Sequence, residues 1–257
     1  MASQTCTPGL FNGNAVHVVG ASDDNYSSIS ISPVSYGTVA GSSLGFSIPS
    51  NAIITGIAAT IEMKSDTANA VLMYSYLNAG GVESNHKTTG ISTITGSDQS
   101  WTFGGTGDLW GLSPTPAQIN AAVFSFSCSV YNPAVAVSAT IYVDYIAVTV
   151  YYEILPTVTT QDASGIGTTT ATGNATITDD GGTTITERGL CWNYTGSPTK
   201  ADNKVSDAVN AEGVYAMSMT GLPVGRNVYA KGFATNAAGD GYGDQVTFRT
   251  FSPGAVF

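Results

Sequence analysis

Turn-forming residues interrupt this chain at short and regular intervals. Runs of alternating apolar and polar residues, such as SISISPVSYGTVA and SATIYVDYIAVTVYYE, end at Gly, Asn, Ser or Pro. The turns recur roughly every 8–12 residues, which leaves room for strands but not for the helices of βαβ units. This spacing is typical of antiparallel sandwiches and barrels, so the sequence predicts an all-β protein.

The composition agrees with a β fold and argues against two kinds of partner. Charged residues make up 10% of the 257, and the net charge is −10. Residues 1–153 hold nine acidic side chains and two basic ones, a balance that disfavours nucleic acid and anionic membrane surfaces as partners. No run of about 20 apolar residues predicts membrane insertion. The N-terminus lacks the basic and apolar regions of a signal peptide.

A change in composition divides the chain into two parts. Pro156 breaks the longest strand signal, and the segment after it is about the size of an immunoglobulin-like domain. We therefore predict two β-sandwich domains in tandem, over residues 1–153 and 154–257. The second domain would end in the short tail SPGAVF.

Two local patterns give finer predictions. Pro116 in SPTPAQINAA precedes helix-tolerant residues and predicts a short helical turn. Asp180-Gly181-Gly182 lies between two strand signals and predicts a hairpin, because Gly takes positive φ at both turn centres.

The second half carries a family resemblance. GLPVGRNVYAKGFATNAAGDGYGDQVTFRT resembles the closing half of a fibronectin type III-like (Ig-like) module, and ITERGLCWNYTGSPT resembles its variety in Bacteroidetes and phage proteins. The resemblance covers residues 156–250. One departure is Val228, which stands where the family pattern has a tyrosine six residues after the corner leucine, Leu222.

The first half resembles another module. ASDDNY, LGFSIPSNAIITGI, FGGTGDLWGL, SPTPAQIN and YVDYIAVTVYY follow one another as in a β-sandwich of tailed-phage virion proteins, here taken as jelly-roll-like. The resemblance covers residues 12–152 and implies a virion location, reached without a signal peptide. It also implies contacts with other copies of the chain and with other virion proteins, and therefore a homo-oligomer. It brings no catalytic residues with it.

The cysteines bear on whether the chain is an enzyme. Cys6, Cys128 and Cys191 are far apart, and their spacing matches neither a zinc site nor a complete disulfide framework. Cys191 lies beside charged residues in ERGLCWN, but both histidines, His17 and His86, belong to the other half of the chain. A nucleophilic cysteine needs a base and a lowered pKa. We therefore interpret Cys191 as a buried strand residue.

Several aspartates are candidate calcium ligands. Calcium prefers six to eight oxygen ligands, commonly carboxylates on loops at one end of a fold. Asp23 and Asp24 in ASDDNY, Asp144 in YVDYI and Asp108 in GDLW offer such oxygens. Turn chemistry accounts for Asp23 and Asp24 equally well, because Asp bonds its own backbone at turns. No other cofactor is expected.

Aromatic residues suggest two binding surfaces. Trp101, Phe103 and Trp110 would stack on a sugar if they were exposed, although aromatics at strand ends also fill sandwich cores. Tyr229 and Phe233 would share the outer face of their strand with Lys231 if Val228 and Ala230 point inward. Exposed aromatics in a row would form a partner surface.

Taken together, the sequence predicts a non-catalytic structural protein of a phage virion, such as a capsid decoration protein, head fibre or tail fibre. Its segments MASQTCTPGLF and SPGAVF are apolar enough to lie as straps on a neighbouring subunit. The alternative is an adhesin or carbohydrate-binding module that recognises a host surface glycan and carries an Ig-like spacer. The sequence contains no paired-carboxylate set, Ser/His/Asp arrangement or phosphate loop, so an enzyme is not expected.

Overall fold

A computed structural model describes residues 1–6, 10–11, 24, 26–67, 70–88, 90, 92–208 and 211–254. Across these residues the chain is almost entirely antiparallel β-sheet with one short helix, which confirms the predicted all-β class. It divides into two compact units, Met1–Tyr152 and Glu153–Phe257. The helix has five residues, far fewer than a membrane crossing requires, and no other helix occurs in the described part of the chain.

The described residues of the first unit form eleven strands, several of them very short. They are β1 (Ala2–Cys6), β2 (Leu10–Phe11), β3 (Ser27–Ile31), β4 (Ser35–Ser42), β5 (Ala52–Ser65), β6 (Ala70–Ala79), β7 (Val82–Glu83), β8 (Ser92–Ile94), β9 (Gln99–Gly105), β10 (Ser125–Asn132) and β11 (Ala139–Ile154).

These strands form two sheets. One has the order β1-β11-β5-β9, with β3 also on β11, and the other has the order β2-β4-β10-β6-β7, with β8 also on β6. From β3 to β6, and again from β9 to β11, successive strands alternate between the two sheets, as in a jelly roll. The core between the sheets is apolar and includes Ile57, Ile61, Leu72, Phe126 and Val148, each fully buried. The jelly-roll-like sandwich is therefore confirmed.

The helix α1, Pro116–Asn120, is where the sequence predicts a helical turn. Thr115 caps it, because its hydroxyl accepts a hydrogen bond from the Gln118 backbone N–H while the Gln118 side chain accepts one from the Thr115 N–H. Ile119 anchors the turn in the core.

The second unit is a smaller sandwich, with eight strands in the part of it that the structure describes. They are β12 (Thr157–Ser164), β13 (Thr170–Asp179), β14 (Glu187–Asn193), β15 (Asn203–Asp207), β16 (Gly213–Thr220), β17 (Asn227–Asn236), β18 (Gly239–Tyr242) and β19 (Val246–Arg249). A sheet β12-β13-β16 faces a sheet β15-β14-β17-β18, with β19 also on β17. This is the arrangement of a fibronectin type III sandwich, so the predicted fold of the second unit is confirmed.

The predicted hairpin at Asp180-Gly181-Gly182 is wrong. Gly181 and Gly182 do adopt positive φ, at 74° and 75°. However, β13 ends in one sheet and β14 begins in the other, so the loop between them crosses the sandwich. Asn236 holds this loop, since its Nδ2 donates to the carbonyl oxygens of Ile154 and Asp180, both at 2.8 Å.

Val228 is part of the core rather than of a corner. Its side chain is fully buried, and so is that of Leu222, whose N–H donates to the Thr169 carbonyl at 2.9 Å. A different tyrosine ties the two sheets together. The Tyr215 hydroxyl on β16 reaches the carbonyl oxygens of Gly189 on β14 and Phe233 on β17.

The prediction that MASQTCTPGLF straps a neighbouring subunit is wrong for the residues described. Ala2–Cys6 pairs with β11 of the same chain, and Leu10–Phe11 pairs with β4. The backbone groups at the edge of a sheet are unpaired until another strand binds there. Here the strands that bind, β1 on β11 and β2 on β4, come from the same chain. Residues 255–257 of the C-terminal segment lie outside the described residues.

Candidate functional site

The aspartates predicted to bind calcium are not brought together by the described structure. Asp23 lies outside the described residues, whereas Asp24 is exposed and accepts a hydrogen bond from the Tyr26 hydroxyl at 2.9 Å. The same hydroxyl lies 2.8 Å from Asp98, which pairs with Lys64 at 3.6 Å. Asp24 therefore belongs to a hydrogen-bonded surface network around Tyr26.

Asp144 is placed quite differently. It is 1% exposed on the inner side of β11, where the strand's alternation shifts by one residue so that both Val143 and Asp144 are buried. Among the described residues, the one acidic group compact enough for a metal ion is Asp179, Asp180 and Glu212 in the second unit. It includes neither Asp24 nor Asp144, and exposed acidic groups of this kind are common without a metal.

Asp108 has a structural role at the edge of the first core. It forms an ion pair with Lys87 and accepts a hydrogen bond from the Trp110 backbone N–H at 2.9 Å. Burial would raise the pKa of the Asp108 carboxyl, but the bonds from Lys87 and Trp110 outweigh it and lower that pKa. The carboxylate therefore fixes the turn in which Trp110 sits at a φ of 58°.

The predicted sugar platform of Trp101, Phe103 and Trp110 is wrong. All three side chains are buried, and Trp110 is only 1% exposed. The Trp110 ring packs edge-on against Phe126 at 6.3 Å, and its Nε1 donates to the Ile57 carbonyl at 2.8 Å. These rings fill the jelly-roll core, which is the alternative that the sequence left open.

The predicted partner surface on β17 is only partly formed. Val228 and Ala230 do point inward, and Tyr229 and Lys231 are partly exposed. Phe233, in contrast, is fully buried, which corrects the prediction for this residue. It lies on the outer side of the sheet but is covered there by other side chains.

Lys200 and Tyr242 provide this cover. The Lys200 Nζ lies 5.2 Å from the centre of the Phe233 ring, and the Tyr242 ring lies 6.4 Å from it. Lys200 is held over the ring by Glu187 and Asp240, each 2.8 Å from its Nζ. Hydrogen bonds from Lys200 and from Lys204 lower the pKa of the Glu187 carboxyl to about 2. The alternation of residues along β17 does not predict that the loop carrying Lys200 covers the outer side of Phe233.

Cys191 is a strand residue, as the sequence predicted. Its side chain is fully buried, and its Sγ lies 3.6 Å from the Lys231 carbonyl oxygen on the paired strand. Burial raises the pKa of the Cys191 thiol to about 11, the opposite of what a nucleophile requires. Burial likewise raises the pKa of the Cys128 thiol in the first unit.

The structure reveals a different aromatic surface, on the outer face of the second sheet of the first unit. Strand β10 runs between β4 and β6, and its residues Phe126, Cys128 and Val130 point into the core. The residues between them, Ser127 and Ser129, therefore face outward.

Aromatic side chains flank these serines on the neighbouring strands. Ser129 pairs with Tyr74 of β6, and Ser127 pairs with Tyr76. Further along β10, Tyr131 pairs with Tyr36 of β4. Both serines are only 5% exposed although they face outward, since the larger side chains around them rise above the sheet. The serines thus form the floor of a shallow trough. The two β6 tyrosines line one side, the Tyr36–Tyr131 pair stands at one end, and Thr38 and Ala40 lie on the β4 side.

The aromatic rings are held in position by contacts with one another. Tyr36 and Tyr131 lie 4.7 Å apart at one end, measured between ring centres. At the other end His86 stacks on Tyr74 at 4.2 Å with an angle of 7° between the planes, and it lies 5.5 Å from Tyr76. We call these five residues, Tyr36, Tyr74, Tyr76, His86 and Tyr131, the aromatic face. Because His86 covers one side of the Tyr74 ring, a ligand has only the other side for stacking.

The surface around these rings is uncharged. Charge appears at the border, where Glu83 pairs with the His86 Nε2 at 2.8 Å. The outward positions of the three strands all carry neutral side chains: Tyr36, Thr38, Ala40 and Ser42 on β4, Val71, Tyr74, Tyr76 and Asn78 on β6, and Ser125, Ser127, Ser129 and Tyr131 on β10. Such a surface offers aromatic ring faces together with hydroxyl and amide groups that both donate and accept hydrogen bonds.

The aromatic face was not among the surfaces predicted from the sequence, although the sequence carries one signal of it. Tyr74 and Tyr76 stand two residues apart in VLMYSYLN, which places them on the same side of a strand. Leu72 and Leu77 mark the opposite side as the core side, with a register shift between them. The period of two therefore predicts a pair of outward tyrosines, but not what lies beside them.

Comparisons with known proteins leave the function to be argued from these residues. No family model matches the chain, and no curated protein matches it. Among solved structures, one described as CBM4 is 9% identical with a TM-score of 0.33, covering 57% of this chain and 92% of that one. The chicken CNTN1 FN1-FN3 domains are 12% identical with a TM-score of 0.31, covering 86% and 67%. The sensor domain of the anti-sigma factor RsgI4 in Pseudobacteroides cellulosolvens is 15% identical with a TM-score of 0.28, covering 38% and 95%.

Proposed function

We propose that the first unit binds carbohydrate on the aromatic face, without catalysis, and that the fibronectin type III-like unit serves as its spacer. The chain would then act as an adhesin or carbohydrate-binding module. The observation that carries the proposal is the trough itself, in which a floor of serines has the tyrosines of β6 along one side and the Tyr36–Tyr131 pair at one end.

This combination suits the chemistry of a sugar. The faces of a sugar ring carry C–H groups that pack against aromatic rings, while its edge carries hydroxyls that need hydrogen-bond partners. Tyrosine supplies both kinds of contact, and it loses little conformational freedom on binding because it has only two side-chain torsions. Ser127 and Ser129 add hydroxyls that both donate and accept hydrogen bonds.

A protein partner is the main competing occupant, since tyrosine is also common in protein-binding surfaces. The contacts between rings favour a sugar. In the close pairs Tyr36–Tyr131 and Tyr74–His86, the rings already pack against each other, so these rings are held in place and are not free to insert singly into a partner's pocket. The oligomeric state distinguishes a sugar from a second copy of the chain as the occupant. If copies associated through the aromatic face, removal of its rings would convert the oligomer to monomers.

The role in a virion that the sequence predicts remains a prediction. It is compatible with glycan binding, since a particle protein that recognises a host surface glycan would need such a face. Mass spectrometry of purified phage particles tests it independently of binding. Presence of the chain at a fixed ratio to the capsid protein would support the prediction, and absence would refute it.

A glycan array with the full chain tests the binding proposal. The test variant is Tyr74→Ala/Tyr76→Ala. The matched control is Tyr145→Ala/Tyr151→Ala, which removes two partly exposed tyrosines from β11 in the opposite sheet. We expect the wild type and the control to bind the same glycans and the test variant to bind about 10-fold or more weakly, at about 1 kcal/mol for each ring.

Two further measurements make the outcome decisive. Thermal melting shows whether both variants are folded, and light scattering shows whether either changes its oligomeric state. Binding of no glycan by the wild type would refute the proposal. Equal binding by the folded test variant would refute the assignment to the aromatic face.

A further inference from the structure

We infer that the ligand is the internal segment of a neutral, linear polysaccharide, about three sugar residues of which lie on the aromatic face. This inference rests on the proposed function and specifies its substrate class. Three observations carry it: the length of the aromatic face, its open ends and the absence of charged residues from the outward positions of β4, β6 and β10.

The length follows from the strand pairing. Tyr36 on β4 pairs with Tyr131, and Tyr76 on β6 pairs with Ser127, four residues earlier on β10. Four residues of a strand span about 13 Å, and two strand spacings span about 10 Å, so the two tyrosine backbones lie about 16 Å apart on a diagonal. A sugar ring with its linking oxygen spans about 5 Å, given bonds of about 1.5 Å. The aromatic face therefore accommodates about three linked residues.

Both ends of the aromatic face are open. Tyr36 is 65% exposed at one end and the His86 side chain is 46% exposed at the other, so neither end is enclosed by other parts of the unit. A site that recognises the terminus of a chain is instead enclosed, because burial of the end group supplies its specificity. Open ends allow the polymer to continue past Tyr36 and past His86, which favours binding of an internal segment.

The electrostatics disfavour an acidic polymer. The outward positions of β4, β6 and β10 hold no charged residue. Lys87, a base in this unit, forms an ion pair with Asp108. Residues 1–153 as a whole carry nine acids and two bases, a net charge of −7, so an anionic polysaccharide would meet repulsion. A neutral polysaccharide avoids this cost.

Calorimetric titration of the full chain with oligosaccharide series tests the inference. The probes are cello-, xylo-, manno- and chito-oligosaccharides of one to six residues, with oligogalacturonates of equal length as the anionic comparison. We expect at least one neutral series to bind, with affinity rising about 10-fold or more between one and three residues and then levelling off. Affinity should change less than 2-fold between 20 and 500 mM salt, because screening acts only on charged ligands.

The variant Tyr36→Ala locates the chain on the aromatic face. We expect it to weaken binding of a hexasaccharide about 3- to 10-fold and to leave binding of a disaccharide unchanged, because only the longer ligand reaches from Tyr76 to Tyr36. Tyr151→Ala serves as the matched control. An equal loss for both lengths would overturn the diagonal arrangement.

The other outcomes separate the inference from the function on which it rests. Preferential binding of oligogalacturonates, or equal affinity for one residue and for six, would overturn the inference and leave carbohydrate binding intact. Failure of every series to bind would overturn both.

Discussion

Tyr215 offers a direct test of how the second sandwich is held together. Its hydroxyl crosses the core from β16 and lies 3.1 Å from the Gly189 carbonyl oxygen and 3.0 Å from that of Phe233. The residue is 5% exposed, so water does not readily replace this donor. The substitution Tyr215→Phe keeps the ring and removes only the hydroxyl. A buried neutral hydrogen bond contributes about 1 kcal/mol net, so we expect this loss in the free energy of unfolding of the second unit.

The corresponding shift in melting temperature can be worked out from the size of the unit. Residues 153–257 form this unit, about 105 residues. At about 2.1 cal/mol/K per residue, its unfolding entropy is about 0.22 kcal/mol/K. A loss of about 1 kcal/mol therefore lowers the melting temperature by about 4–5 °C.

Differential scanning calorimetry of the full chain measures this shift. Tyr229→Phe is the matched control, because it makes the same chemical change at a partly exposed position on the outer side of β17. We expect the control to melt within about 1 °C of the wild type, as surface substitutions generally do. If Tyr215→Phe also melted within 1 °C of the wild type, the hydroxyl would not tie the two sheets together.

Three further predictions test the corrected site assignments. Glu187, whose pKa is lowered from its ordinary value of 4.5 to about 2, stabilises the second unit fully above pH 4.5 and loses this contribution as the pH falls to 2. We expect the free energy of unfolding, measured by urea titration, to fall by about 1–2 kcal/mol over this pH range, after allowing for solvent screening of this partly exposed group. Glu187→Gln should flatten the dependence of this free energy on pH. An unchanged pH dependence would contradict the role of the ion pairs. Trp110→Phe removes the bond from Nε1 to the Ile57 carbonyl. We expect this variant to lower the free energy of unfolding of the first unit by about 2–3 kcal/mol and, while folded, to bind glycans with wild-type affinity. Weaker glycan binding at unchanged stability would instead indicate that Trp110 contacts the sugar. Cys191, with a pKa of about 11, should resist iodoacetamide at pH 8 until urea unfolds the chain; rapid labelling of the native protein would contradict its burial.

Much of the fold was accessible from local patterns because strand formation depends on them. The period of two in VFSFSCSV puts Phe126, Cys128 and Val130 on one side of a strand, and all three are buried. Pro116 correctly marked the start of a helix. Strand partners depend instead on the path of the chain between strands. Gly181 and Gly182 have the backbone angles of a hairpin, but they lie in a loop that crosses from one sheet to the other. Each strand joins the sheet in which its apolar side chains are buried, and the turn residues do not determine which sheet that is.

The functional residues were harder to predict for the same reason. Trp101 and Trp110 were predicted to bind sugar because they are large aromatic residues, but the largest apolar side chains are also those that stabilise a core most when buried. The tyrosines of the aromatic face come from three strands that are far apart in sequence, and β10 brings them together only by lying between β4 and β6.

A surface of this kind is therefore a product of topology, and the sequence shows only its separate parts. Tyr131 gives no sign that its neighbour is Tyr36, 95 positions earlier, and Ser129 gives no sign that Tyr74 will stand beside it. Alternate serines are unremarkable in one strand, yet beside the tyrosines of β6 they form the floor of a trough. If the crossovers placed β4 or β6 elsewhere, the same residues would be scattered and no trough would exist. The binding proposal therefore depends on this strand order as much as on the tyrosines themselves.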